Sequence, residues 1–136
     1  EKLPFSQKDI HLQGHAIEAR ITSQDPDNDF APSTGCITEW NPPGGYGIRL
    51  DTYVYAGLGI SPYYDPMIAK LIVRGTDRSD AVRRLQSALH EFRVSGITTN
   101  IPFLRRLAAH PSFMSGEVDT GFVPRFLAEV EVGVPV

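Results

Sequence analysis

Polar and apolar positions alternate in the segment 14–22, GHAIEARIT. His15, Ile17, Ala19 and Ile21 fall on one side, and Ala16, Glu18 and Arg20 on the other. Period two is the signature of a strand, whose successive side chains point to opposite faces. Short runs of this kind, bounded by Gly, Pro and Asp, predict strands over 15–21, 35–40, 47–54 and 67–74. The last lies in MIAKLIVRG, where apolar bulk and β-branched residues predict a well-buried strand ended by Gly75. Between the strands, SQDPDNDFAPSTG (23–35) reads as a long polar connector with two prolines. NPPGGYG (41–47) reads as a tight glycine-rich hairpin link between neighbouring strands.

The period changes in the second half. Val82, Leu85, Leu89 and Phe92 recur at three- and four-residue steps, with Ala81 and Ala88 beside them, which predicts an amphipathic helix. Thr76 or Asp77 caps its start and Gly96 follows its end. Asn100 caps a second helix with Pro102 in its first turn and Phe103, Leu104 and Leu107 as its apolar stripe, ended by Pro111. Thr120 caps a short third helix carrying Phe122, Phe126 and Leu127. Strands first and helices after predict an α+β fold: a small, mostly antiparallel sheet, rudimentary-barrel or hybrid-like, with two to three helices. EKLPFSQKDI (1–10) reads as a polar connector into the first strand, 11–130 as the domain, and 131–136 as a tail, frayed or tied to a missing neighbour.

Composition narrows the function classes. The 136 residues carry a net charge of −3, so nothing in the charge draws the chain to nucleic acid or an anionic membrane. No apolar run approaches the ~20 residues of a bilayer span. The one cysteine, Cys36, excludes an internal disulfide and fits a small buried hydrophobe on a strand. GxGxxG, P-loop, HExxH, GxSxG and CxxC motifs are absent. His11 and His15 stand four apart, a spacing that joins side chains on a helix and not on a strand. PPGGYG opens no helix, so it reads as a turn rather than a phosphate cradle. The chain starts with Glu1 rather than Met, which suggests a piece of something longer. Up to this point the residues describe an α+β domain without an assigned activity, and Glu18 with Arg20 is either a solvated surface pair or the lining of a site.

Four stretches go further. GHAIEARITSQDP, PPGGYGIRLDTYVYAG, SPYYDPMIAKLIVRGTDR and GITTNIPFL, in this order and spacing, resemble the C-terminal domain of biotin carboxylase over residues 11–127. That family is the ATP-grasp carboxylating component of acetyl-, propionyl- and methylcrotonyl-CoA carboxylases, pyruvate carboxylase and urea carboxylase. The resemblance implies a reaction in which ATP activates bicarbonate through carboxyphosphate and CO2 passes to N1′ of biotin.

It also implies roles for particular residues. Arg20, in the E-x-R-I strand, would stabilise negative charge on the biotin ureido oxygen, with Glu18 on the same face orienting it. Asp65 of YYDPM would hold Arg20 or contact the reacting groups, or simply form a turn before Pro66. Phe122 would pack on the adenine of ATP, or serve as a core residue of the third helix. Tyr46 and Arg49 would lie in a homodimer contact. ATP, biotin and Mg2+ are the implied cofactors, with no metal ligand in this chain. The implied partners are an upstream ATP-grasp domain, a biotin carboxyl carrier, a carboxyltransferase and a second copy, without nucleic acid or membrane. The implied compartment is the cytoplasm in a bacterium or the mitochondrial matrix in a eukaryote. The chain alone is expected to be inactive. The alternative is a stand-alone dimerisation or interaction module of the same fold.

Overall fold

The structure, a computed structural model, describes residues 2–131. In chain order the elements are β1 (His15–Thr22), β2 (Gln24–Asp25), β3 (Ala31–Pro32), β4 (Gly35–Cys36), β5 (Glu39–Asn41), β6 (Ile48–Thr52), β7 (Gly59–Ile60), β8 (Met67–Gly75), α1 (Arg78–Glu91), β9 (Arg93–Ser95), α2 (Ile101–Ala109), α3 (Pro111–Ser115) and α4 (Phe122–Glu131). The α+β class is as expected and every pairing is antiparallel, but the described strands divide among four small sheets.

The largest ladder runs β1-β8-β6. Its inner face sets Ile17 opposite Val73 and Ala19 opposite Leu71, with Ile48 and Leu50 of β6 beside the same two β8 residues. Helix α1 covers this face with Leu85, Ala88 and Leu89. Leu71, Val73 and Leu89 are wholly shielded from water. Removing apolar side chains of this size from water stabilises the fold by about 1.5–3 kcal/mol each. The approach is close: a Cβ on Gly75 would lie 2.4 Å from the Ala81 nitrogen. Asp77 is the cap of α1 and accepts from the Asp80 N–H at 2.8 Å, while Asp80 Oδ2 accepts from the Thr76 N–H at 3.0 Å.

A second cluster joins Phe103 and Leu107 of α2 to Phe122 and Phe126 of α4. Phe30 meets Phe103 edge-on at 5.1 Å. This contact explains a departure from expectation. The segment 23–35 is not a bare connector but contains the β2–β3 ribbon, whose turn places Asp29 and Phe30 at positive φ.

Other departures follow from partner choice. The expected strand 35–40 is split, because β4 pairs with β7 and β5 pairs with β9. For the same reason 41–47 is no hairpin link: β5 belongs to the β9 ladder and β6 to the β8 ladder. Cys36 is exposed rather than buried, because at this point the neighbouring Ile37 enters the core. Pro111 does not merely end α2 but starts α3, and β9 has no counterpart among the expected strands. Helix α4 takes in the first residue of the expected tail, 131, and residues 132–136 lie outside the described residues, as does Glu1.

Candidate functional site

Charged side chains gather on the outer face of the β1-β8-β6 ladder, opposite the face that α1 covers. On β1, Ala16, Glu18 and Arg20 are exposed while Ala19 and Ile21 are buried. Register then builds two rows across the sheet. One runs Glu18, Ile72, Arg49, and the other Arg20, Lys70, Asp51. Arg49 grips Asp51 with two hydrogen bonds, Nε to Oδ1 at 2.8 Å and Nη2 to Oδ2 at 3.0 Å. Lys70 Nζ stands 3.8 Å from Asp51 Oδ2. The Arg49 hydrogen bond is the main reason the Asp51 carboxyl lies below its ordinary pKa; partial burial opposes it, and the charges of Arg49 and Lys70 add to it.

Arg20, like Lys70 on the same face, makes an ion pair but no side-chain hydrogen bond among the described residues. Its side chain is 61% exposed, and its nearest carboxylate is Asp65, Nη2 to Oδ1 at 3.9 Å. That distance is an ion pair, too long for a hydrogen bond, so the guanidinium donors remain free. Asp65 stands in the turn before β8 and faces Arg20. Its Oδ1 accepts from the Met67 N–H at 2.8 Å, closing the turn around Pro66 into β8, and the same oxygen faces Arg20. Ser23, 2% exposed, ties the end of β1 to this turn, its N–H and Oγ–H donating to the Pro66 carbonyl at 2.8 and 3.2 Å. Glu18 shares the face but makes no ion pair among the described residues, so the carboxylate that meets Arg20 is Asp65.

The remaining candidates lie elsewhere. Tyr46 is 90% exposed, beneath the Arg84 guanidinium at 5.5 Å, and Arg49 is three residues on at the start of β6. Both side chains are exposed. Phe122 is buried at 6%, against His110 and Phe126, so the structure places its ring in the second core cluster. Between β1 and the helices lies a cleft of about 290 Å3, lined by Glu18 and Arg20 and by apolar residues such as Leu85, Leu104 and Phe113. No cluster of three or more His, Cys, Asp or Glu side chains gathers as a metal site among the described residues. No helix among them is long and apolar enough to cross a membrane.

Sequence reasoning missed Lys70 and Asp51. Alternation within MIAKLIVRG sets Lys70 apart from Ala69 and Leu71, which is a signal in itself. That it stands beside Arg20 depends on which strand β8 pairs with, and alternation carries no partner information.

Fold and site together describe an α+β domain that packs helices on one sheet face and presents a free guanidinium on the other. Its family follows from comparison with known proteins. The model of the biotin carboxylase C-terminal domain matches residues 18–125, and the chain belongs to that family. It is 47% identical over 123 residues to the biotin carboxylase of Nostoc sp., covering 90% of this chain and 28% of that protein. It is 47% identical over 126 residues to a pyruvate carboxylase subunit from Methanothermobacter thermautotrophicus, covering 93% and 26%. Among solved structures, the biotin carboxylase domain dimer of Hydrogenobacter thermophilus 2-oxoglutarate carboxylase, in complex with MgADP, ADP and bicarbonate, superposes with a TM-score of 0.87 at 42% identity, covering 92% and 28%. The chain therefore spans less than a third of the length of each of these proteins.

Proposed function

We propose that this chain is the closing domain of an ATP-dependent biotin carboxylase and that Arg20 is its catalytic residue. The observation that carries this is the placement of Arg20: 61% exposed on the outer sheet face, at the mouth of a cleft toward the helices, with Asp65 at 3.9 Å but not hydrogen-bonded to it. Biotin, when bound, supplies a ureido nitrogen as nucleophile, and negative charge gathers on the ureido oxygen as that nitrogen loses its proton. The free N–H donors of Arg20 fit that oxygen. A planar, permanently charged donor fixed where charge develops stabilises the transition state more than the ground state. Asp65 positions the guanidinium through its own anchored turn. Glu18 adds negative potential to the same face without touching Arg20 in this arrangement.

On this reading ATP, magnesium and the general base are held by an upstream ATP-grasp domain, which the sheet face of this chain closes over. The biotin arrives on a carrier, and a carboxyltransferase consumes the product. Tyr46 and Arg49, exposed and three apart, are the anchors for a second copy. The adenine contact of Phe122 rests on the resemblance alone, since its ring is engaged in packing.

The test is Arg20→Ala and Arg20→Lys in the full-length carboxylase, with the 136-residue chain assayed alone as a control that should turn over no ATP. Loss of one charged donor to a developing anion is worth about 2–4 kcal/mol, or roughly 30- to 1000-fold in kcat. Arg20→Lys should also be impaired, because an ammonium does not reproduce the guanidinium fork. Near-normal biotin carboxylation by Arg20→Ala would overturn the assignment.

A further inference from the structure

β1 is an edge strand: β8 pairs with it on one side, and no strand pairs with its other side among the described residues. An edge strand presents backbone donors and acceptors with no ladder partner. Three of them, the Arg20 carbonyl and the Thr22 N–H and carbonyl, are nevertheless satisfied. The Thr22 N–H donates to Asn100 Oδ1 at 2.9 Å, and Asn100 Nδ2 donates to the Arg20 carbonyl at 3.0 Å. The Asn100 N–H donates in turn to the Thr22 carbonyl at 3.1 Å. A carboxamide sets one acceptor and one donor side by side, as a peptide group does. One side chain, 80 residues away along the chain, thus stands in for a fourth strand.

Two details sharpen the point. Asn100 occupies the N-cap position of α2 and is 8% exposed, yet its side chain makes no capping bond; the carboxamide is committed to β1 instead. The clamp also spans the irregular point of the strand. The β1–β8 register slips between Ile21 and Thr22, and Asn100 bonds Arg20 on one side of the slip and Thr22 on the other. Beyond Thr22, Ser23 is fastened to the Pro66 carbonyl, next to Asp65. The backbones that carry Arg20 and Asp65 are therefore tied into one frame.

We infer that Asn100 is a positioning residue for Arg20, its carboxamide fixing the irregular edge of β1 from which the guanidinium projects and, through Ser23 and Pro66, its spacing from Asp65. This rests on the role proposed for Arg20. Asp at this position keeps an acceptor for Thr22 and loses the donor to the Arg20 carbonyl, while Gln places the same groups one carbon too far out.

The experiment uses the full-length carboxylase with Asn100→Ala, Asn100→Asp, Arg20→Ala and the Arg20→Ala/Asn100→Asp double variant, each assayed per mole of folded protein, with a thermal melt on a separate sample to confirm the fold. Asn100→Asp carries the test should Asn100→Ala fail to fold, since Asp is a favoured N-cap residue. Misplacing a reacting group by about an ångström costs on the order of 100-fold. Asn100→Asp should lower kcat for biotin carboxylation by about 10- to 100-fold with KM for ATP changed less than about twofold. In the Arg20→Ala background it should lower kcat by less than about twofold more, because the group it positions is gone. Full multiplication of the two losses would mean a general structural role and overturn the inference. Wild-type kcat for Asn100→Asp beside a crippled Arg20→Ala would overturn it and leave the role of Arg20 standing. Wild-type kcat for Arg20→Ala would overturn both.

Discussion

Gly57 and Gly96 share a φ of +96° but differ in surroundings, and this separates two costs that are normally confounded. A Cβ on Gly57 would meet nothing within 4 Å, whereas one on Gly96 would lie 2.1 Å from the Cys36 carbonyl oxygen and 2.8 Å from the Thr38 nitrogen. In both, alanine suffers the strain of left-handed backbone, about 1–2 kcal/mol. At Gly96 the chain must also retreat from Cys36 by more than an ångström to restore ordinary contact. That retreat breaks the bond from the Thr38 N–H to the Ser95 carbonyl, 2.9 Å long, and strains the β5–β9 ladder that follows it. Losing that hydrogen bond, at an exposed threonine, costs about 0.5–1.5 kcal/mol more. Gly57→Ala should therefore lose about 1–2 kcal/mol and Gly96→Ala about 1.5–3.5 kcal/mol. The assay is equilibrium urea unfolding followed by fluorescence of the single tryptophan, Trp40, which lies on β5 and meets Phe92 edge-on at 5.1 Å. The midpoint should fall with the slope unchanged. Equal losses at the two glycines, within about 0.5 kcal/mol, would refute the collision and with it the close approach of the Gly96 turn to β4.

Two further outcomes are expected on stability. Asp77→Ala removes the acceptor for the Asp80 N–H and should destabilise by about 0.5–2 kcal/mol in the same urea assay, with Asp77→Asn nearly neutral. Acid should destabilise the fold through Asp51, Asp80 and Asp119, all held below the ordinary carboxyl pKa. The main causes are the Arg49 hydrogen bond, the Thr76 N–H and the Arg125 hydrogen bond respectively. A lowered folded pKa means that the stabilisation is complete above the unfolded value, about 3.9, and is lost as pH falls through the folded one. The midpoint temperature should hold from neutrality to about pH 5 and drop below pH 4, and Asp51→Asn should flatten part of that drop; an unchanged slope would remove Asp51 from the account.

The placement of Arg20 and Asn100 shows how far local pattern reaches. Alternation in GHAIEARIT puts Arg20 and Glu18 on the polar face of a strand, and the structure leaves both exposed there. The three-and-four spacing from Val82 to Phe92 describes α1, and Asp77 is its cap. Asn100 reads as a cap and stands in the cap position, but its side chain serves β1. Cys36 reads as core because its strand looks apolar, yet it lies on a two-residue ribbon with its side chain outside. A cap preference or a burial preference is an average over environments. Which environment a residue meets depends on elements far away in the chain.

The sequence by itself determined the elements whose signal is local: strands from period two, helices from period 3.6, and which residues share a face. It also carried the motifs that mark the family. Only the tertiary structure decided the partners. Trp40 pairs with Val94 rather than across the glycine-rich turn beside it. Lys70 stands next to Arg20, and Asp65 rather than Glu18 meets that arginine. Backbone hydrogen bonds between strands are chemically alike wherever they form. The pairing is selected by the sum of side-chain burial over the whole core, and no window of adjacent residues contains that sum.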